Sequence, residues 1–250
     1  MIEVVLLHGG PGAIGGMGQL ARELSDDFHV LAPKQRRAGG KPLTVARHVA
    51  DLAQVAPPDA RIVGWSWGAM LALSFATRHP ERVRSLALVG CGTYDENSRA
   101  SYHRAVDARL GPAGRRRVEE LRRQMAGDPA SADRTMAELG LLLTSAQSVE
   151  LIEPPEPVEC DARAHDETWL DALRLQREGV EPAAFAAIRV PVLMLHGDSD
   201  PHPGPLMHDQ LRRHLPQLEY LELPRCGHLP WLERHAREPF LRALREWLSR

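Results

Sequence analysis

The pentapeptide GWSWG at residues 64–68 constrains the fold of this chain more than any other stretch. An apolar run at residues 61–63 precedes it and a helix-favouring run at residues 69–76 follows, so a buried strand should turn abruptly into a helix at Ser66. In such a turn, a side chain two residues before or after the serine would strike neighbouring backbone, which explains both glycines. The turn exposes the hydroxyl and directs the Trp67 N–H toward any charge that develops beside it. Alone, the motif predicts either a reactive serine or a plain strand-to-helix turn.

The composition predicts an ordinary globular domain with a sizeable core. The chain has 250 residues, 43% of them hydrophobic and 26% charged, a length that fits one domain with an insertion. The net charge of −2 gives no reason to expect a nucleic-acid or membrane partner. Basic clusters such as residues 115–117 and 122–123 alternate with glutamates, as on a solvated helix face.

The cysteines and the N-terminal run predict a cytoplasmic protein. Cys91, Cys160 and Cys226 are too few and too scattered for a disulfide framework or a zinc site, and they suit a reducing compartment. The apolar run at residues 2–7 lacks a cationic leader and is too short for a signal peptide or a membrane span.

The alternation of apolar and helical patterns predicts an α/β fold. Strands and helices alternate up to residue 89 and again after residue 190, which favours a mostly parallel sheet of about six strands flanked by helices. Between them, helical patterns cover residues 99–110, 113–125, 131–143 and 166–178, with no convincing strand. We therefore predict a core domain of residues 1–90 and 186–250, with residues 91–185 inserted as a helical cap.

Three chemistry-bearing residues fall where predicted strands end. A serine is a poor nucleophile unless a histidine acts as its general base and a third group orients that histidine. HGDSDP at residues 196–201 follows one strand, and CGHLP at residues 226–230 follows the next. In an open parallel sheet, reactive groups gather at the carboxyl ends of the strands, which is where Ser66, Asp200 and His228 lie.

Five motifs together resemble the α/β-hydrolase family across nearly the whole chain: HGGPG at 8–12, GWSWG at 64–68, RHPERV at 78–83, VPVLMLHGDSD at 190–200 and GHLPWLE at 227–233. The resemblance implies a catalytic triad with Ser66 as nucleophile, His228 as base and Asp200 as orienting acid. Asp198 competes for the last role, but the family acid commonly lies three residues after the glycine of that turn, as Asp200 does.

The resemblance also implies an oxyanion hole made by the N–H groups of Trp67 and Gly10, with His8 bracing the loop. No cofactor is expected. A metal site is not expected either, because His196, His202 and His208 lack a helical i, i+4 pairing or a carboxylate in register.

The HGGPG loop and the W-S-W-G turn resemble the proline iminopeptidase branch of the family. Gln35-Arg36 matches the middle of its D-Q-R-G segment, although Arg37 replaces the glycine and Pro33 or Lys34 the aspartate. An aminopeptidase needs carboxylates for the substrate amine. Six acidic residues of the cap are candidates for that role or for a solvated surface: Glu150, Glu153, Glu156, Glu159, Asp166 and Glu167.

The sequence therefore predicts a serine hydrolase that forms an acyl-enzyme on Ser66. Its expected partner is a small-molecule or short-peptide substrate, either a small carboxylic ester or an N-terminal aminoacyl amide or peptide. Trp65, Glu153 and Glu167 are the candidate substrate-binding residues. Two alternatives stay open: a ligand-binding module that has lost turnover, and a carbon–carbon bond hydrolase on the same scaffold.

Overall fold

The computed structural model describes residues 2–250 and contains a six-stranded parallel sheet in the order β3-β1-β4-β5-β7-β8. The predicted α/β fold and the expected number of strands are confirmed. The elements, in chain order, are β1 Glu3–Leu7, β2 Ala13–Ile14, α1 Gly18–Leu24, β3 His29–Leu31, α2 Val45–Val55, β4 Ala60–Trp65, α3 Trp67–Arg78, β5 Val83–Val89, α4 Glu96–Gly127, α5 Ala132–Gln147, β6 Glu159–Cys160, α6 Ala162–Arg177, β7 Val192–Gly197, α7 Gly204–Leu211, β8 Leu218–Leu223 and α8 Arg237–Leu248.

Both faces of the sheet are covered by helices, which is why its strands are apolar along most of their length. Along β1, Val5 and Leu7 belong to the apolar cluster that contains the buried residues of α2 and α3, while Val4 and Leu6 belong to the cluster on the α1 and α8 side. Alternate residues of a strand point to opposite faces, so a strand buried on both sides needs apolar residues at successive positions. Among residues 2–250, no helix is both long enough and apolar enough to cross a bilayer.

The segment between β5 and β7 is mainly helical, but its helices differ in detail from the prediction. The two helices expected at residues 99–110 and 113–125 form one kinked helix, α4. Gly111 is in the left-handed region (φ 61°) and Pro112 follows it. Both residues disfavour regular helix, yet helical geometry resumes after the kink.

The expectation that residues 91–185 contain no strand is wrong. β6 pairs antiparallel with β2, which directly follows the HGGPG loop, through Ala13 with Cys160 and Ile14 with Glu159. The loop is also held by His165 of α6, whose Nδ1 donates to the Pro11 carbonyl over 2.9 Å. A two-residue strand has no periodicity to detect, and its partner is about 145 residues away in sequence.

His48 of α2 ties the core to α6, and it should make the protein sensitive to acid. Its Nε2 is 2.9 Å from Thr168 Oγ1, its Nδ1 has no partner among the described residues, and burial lowers its pKa to about 4. His48 takes up a proton near pH 6.5 in the unfolded chain but only near pH 4 in the folded one. Neutral His48 therefore costs the fold nothing above pH 6.5, and the free energy of unfolding falls as the pH drops from 6.5 toward 4.

Between pH 7.5 and pH 5, we expect the free energy of unfolding to fall by about 2 kcal/mol less in His48→Gln than in wild type. Urea titrations at both pH values measure this. His29→Gln is the control for loss of an exposed histidine, whose ring contacts Glu3 at the surface. Equal pH dependence in wild type and His48→Gln would contradict the assignment.

Candidate active site

Ser66 occupies a strained turn between β4 and α3. Its backbone has φ 55° and ψ −117°, an unfavourable conformation for a residue with a side chain, costing about 1–3 kcal/mol. A Cβ on Gly64 would lie 2.2 Å from the Gly68 carbonyl oxygen, and one on Gly68 would lie 2.1 Å from that of Leu7. Both glycines are therefore needed for close approach of backbone. The Ser66 N–H donates to the Val89 carbonyl over 2.8 Å, which fixes the turn to β5.

The HGGPG loop passes directly against this serine. A Cβ on Gly9 would lie 3.1 Å from Ser66 Cβ, and Gly10 has φ 55°, where a side chain is disfavoured. Within residues 2–250, neither the Gly10 N–H nor the Trp67 N–H donates a hydrogen bond. An oxyanion hole requires two unpaired backbone donors. Here one comes from the HGGPG loop and the other from Trp67, the residue after Ser66.

His8 and Gln35 connect the loop to the turn. His8 Nδ1 donates to the Gly9 carbonyl over 3.0 Å, and His8 Nε2 accepts the Gln35 N–H over 3.1 Å. Burial lowers the pKa of His8, and this arrangement needs the neutral ring because Nε2 accepts. The Gln35 side chain in turn accepts from Trp67 Nε1 over 2.8 Å. These contacts agree with a bracing role for His8.

Asp200 and His228 form a buried pair at the carboxyl ends of β7 and β8. His228 Nδ1 lies 2.6 Å from Asp200 Oδ2, and the two side chains are 3% and 0% exposed. Burial alone would raise the pKa of the Asp200 carboxyl, but the rings of His228, His202 and His196 hold that pKa well below its usual range. The carboxylate accepts the Nδ1–H of His228, which leaves Nε2 of the neutral ring free to take a proton.

Asp198, the competing acid, lies elsewhere. It is exposed, and its carboxylate accepts the backbone N–H groups of Arg225 at 3.0 Å and Cys226 at 3.2 Å. These contacts hold the loop after β8, and the carboxylate that bonds to His228 is that of Asp200. Among the described residues, no hydrogen bond joins Ser66 Oγ to the His228 ring; such bonds often tighten when substrate binds.

Asp200, His202 and His228 bring possible metal-ligand atoms within 4.8 Å of one another. However, the Nδ1 atoms of both histidines already donate to this carboxylate, at 2.9 Å and 2.6 Å. A cation held between these atoms would have to break both hydrogen bonds, so the arrangement is not a preformed metal site. His208 lies apart and stacks on Tyr220.

Of the candidate substrate-binding residues, Trp65 alone contacts the catalytic candidates. Its Nε1 donates to the His228 carbonyl over 2.9 Å, and its ring centroid lies 5.5 Å from that of His228. Glu153 accepts from Gln19 of α1, and Glu167 accepts the Leu43 N–H. Their role in binding an amine stays a prediction.

Three further acidic candidates pair with basic residues that lie before β5 or after β8 in the chain. Glu150 pairs with Arg234, Glu156 with Arg22 and Glu159 with Lys34. These partners occupy carboxylates that an aminopeptidase would need free for the substrate amine.

Sequence reasoning missed two residues between β5 and β7 that lie next to the proposed catalytic pair: Gln147 contacts His228, and Tyr102 contacts Gln147 and His202. The Gln147 carbonyl, at the end of α5, accepts the His228 N–H over 2.9 Å, and the Gln147 side chain donates to Tyr102 Oη over 2.9 Å. Neither residue belongs to a recognisable motif, and both are about 80 residues or more from His228 in sequence. No signal in the sequence could have placed them here.

Comparison with known proteins supports one family. The model described as "Alpha/beta hydrolase family" matches residues 4–242. The chain is 32% identical to a pimeloyl-[acyl-carrier protein] methyl ester esterase of Chromobacterium violaceum, over 99% of this chain and 94% of the relative. It is 35% identical to a proline iminopeptidase of Neisseria meningitidis, but over only 36% of this chain and 32% of that protein. A thermophilic esterase from Thermogutta terrifontis has a similar fold, with a TM-score of 0.62 and 22% identity over 100% of this chain and 90% of the other.

Proposed function

The chain belongs to the α/β-hydrolase family, and on that premise we propose that it is a serine esterase that cleaves a small carboxylic ester through an acyl-enzyme on Ser66. The observation that carries the proposal is the buried Asp200–His228 pair, which follows β7 and β8 at the same sheet edge as the strained Ser66 turn. A base, an orienting acid and a nucleophile at one sheet edge are the parts that acyl transfer needs.

In the proposed reaction, His228 Nε2 takes the proton of Ser66 Oγ as that oxygen attacks the ester carbonyl. The N–H groups of Gly10 and Trp67 stabilise the negative charge that develops on the carbonyl oxygen. The imidazolium gives its proton to the alkoxide that leaves, and Asp200 stabilises the positive ring meanwhile. Water, deprotonated by His228, then attacks the acyl-enzyme and releases the acid and free Ser66.

An ester is favoured over an N-terminal aminoacyl amide because the candidate amine-binding carboxylates are engaged. Five of the six pair with groups outside the inserted segment, as described above. Relatives that align over nearly the whole chain are named methyl ester esterases, whereas the iminopeptidase similarity covers about a third of it. We propose methyl and other short-alcohol esters as the substrate class, with residues 91–185 acting as a cap over the site.

The test is turnover of the purified protein on a matched panel: short-chain p-nitrophenyl esters, dicarboxylic acid monomethyl esters, proline arylamide and other aminoacyl arylamides. We expect hydrolysis of the esters, with kcat/KM at least about tenfold above that of any arylamide. Preference for proline arylamide would replace the esterase proposal with the peptidase one. No turnover on any member would favour the ligand-binding alternative.

A further inference from the structure

Three aromatic rings stack in a row between the inserted segment and the core. His202, in the loop after β7, lies between Tyr102 of α4 and His228. The ring centroids of His202 and Tyr102 are 4.3 Å apart with planes at 30°, and those of His202 and His228 are 4.6 Å apart with planes at 23°. The His202 side chain is 12% exposed. A second histidine is therefore packed flat on the proposed catalytic base.

The same histidine also binds the proposed catalytic acid. Asp200 Oδ1 accepts the backbone N–H and the Nδ1–H of His202, both over 2.9 Å, while Oδ2 accepts from His228 over 2.6 Å. Each carboxylate oxygen is thus assigned to one histidine ring. A carboxylate held by three N–H donors is fixed in its plane, and its charge is shared among them.

We propose that His202 is a positioning residue of the triad, which orients the Asp200 carboxylate and, by donating to Oδ1, limits how strongly Asp200 holds a proton on His228. This rests on the proposed role of His228 as the general base. Without the ring donor, more of the carboxylate charge is available to stabilise imidazolium at His228. The base would then become protonated at a higher pH, and the fraction of active enzyme near neutral pH would fall.

The protonation state of His202 agrees with this role. Burial lowers the pKa of His202, although the Asp200 carboxylate beside it acts in the opposite direction. A neutral ring that donates from Nδ1 must carry its proton there, since a carboxylate oxygen can only accept. His202 therefore acts as a fixed dipole donor near neutral pH.

Two other side chains near the Asp200–His228 pair also contact His202. The Nε2 atom of His196, on β7, lies 2.9 Å from the His202 carbonyl oxygen and 3.5 Å from Asp200 Oδ2. Tyr102 of α4 is neutral, because burial raises its pKa to about 12.

More distant charged groups contact the backbone of the loops that carry the pair. Glu233 accepts the Gly227 N–H over 3.1 Å, and Arg109 of α4 donates to the Ser199 carbonyl. Arg122 of α4 acts on Tyr102 at longer range, and Cys226 stays a thiol because burial raises its pKa.

Two substitutions separate the hydrogen bond from the ring stack. His202→Phe keeps a flat ring between Tyr102 and His228 but removes the donor, whereas His202→Asn places an amide N–H near the position of Nδ1 but removes the ring. His202→Leu is a second variant without a donor, in case the phenylalanine variant does not fold. His29→Asn is the matched control, because His29 is exposed and lies on β3.

The readout is an NMR titration of the His228 imidazole in histidine-labelled protein, with the resonance assigned by His228→Gln. We expect His202→Phe to raise the pKa of His228 by about one unit and His202→Asn to leave it within about 0.3 of wild type. The acidic limb of kcat/KM on a p-nitrophenyl ester should move by the same amount.

An unchanged pKa in both donor-free variants, or equal changes in the asparagine and phenylalanine variants, would overturn the proposal. A purely structural role would lower stability and leave the His228 titration where it is. Because the titration needs no turnover, it decides the role of His202 even if the wild type hydrolyses no ester on the panel, which would refute the proposed function alone.

Discussion

Replacing Ser66 with alanine should lower kcat for ester hydrolysis by about four to six orders of magnitude, because no other group can form the acyl-enzyme. The residual rate should come from the Gly10 and Trp67 N–H groups and from substrate binding, which the substitution leaves in place. Alanine also keeps a side chain at φ 55°, so the strain of the turn and the stability of the fold should change little.

The measurement is kcat on the best p-nitrophenyl ester of the panel, alongside the thermal midpoint of each protein. Ser25→Ala is the matched control: Ser25 is exposed at the end of α1, far from the turn, and its loss should leave kcat unchanged. A Ser66→Ala protein with wild-type kcat would show that Ser66 is not the nucleophile and would overturn the proposed acyl-enzyme.

Replacing Asp200 with asparagine should lower kcat by about four orders of magnitude. The asparagine amide can donate to His228 Nδ1 and so stabilise the tautomer with its proton on Nε2, which cannot accept the proton of Ser66. Asp198→Asn should leave kcat within about twofold of wild type, because the Asp198 carboxylate bonds to the loop after β8 and not to His228. The asparagine oxygen can keep one of its two backbone N–H contacts.

Single-turnover and steady-state rates on the same ester distinguish the two aspartates. A large loss of kcat in Asp198→Asn together with a small loss in Asp200→Asn would assign the acid of the triad to Asp198, the alternative from the sequence analysis. Equal losses would indicate that the β7 loop matters as a unit and that the Asp200–His228 hydrogen bond is not what orients the base.

The strands and helices of the core were predictable because their signals are local. The apolar runs at residues 2–7, 83–89 and 218–223 carry their own periodicity, and β1, β5 and β8 lie within those ranges. Glycine spacing around Ser66 likewise encodes a steric requirement, which the 2.1 Å and 2.2 Å approaches of a hypothetical Cβ explain. Errors occurred where a signal was short, as for β6, or where Gly111 and Pro112 indicated a break that α4 absorbs as a kink.

The sequence by itself determined which residues stand at the ends of the strands, and hence the candidate set of Ser66, Asp200 and His228. Parallel strands end at one edge of a sheet, so sequence position translates directly into proximity there. The tertiary structure showed that the Asp200 carboxylate bonds to His228 and that acidic residues between β5 and β7 pair with residues outside that segment. It also placed Tyr102 and His202 in a stack on the proposed base. Those contacts join side chains from elements distant in sequence, and their geometry depends on how the inserted helices pack on the sheet, which no local pattern encodes.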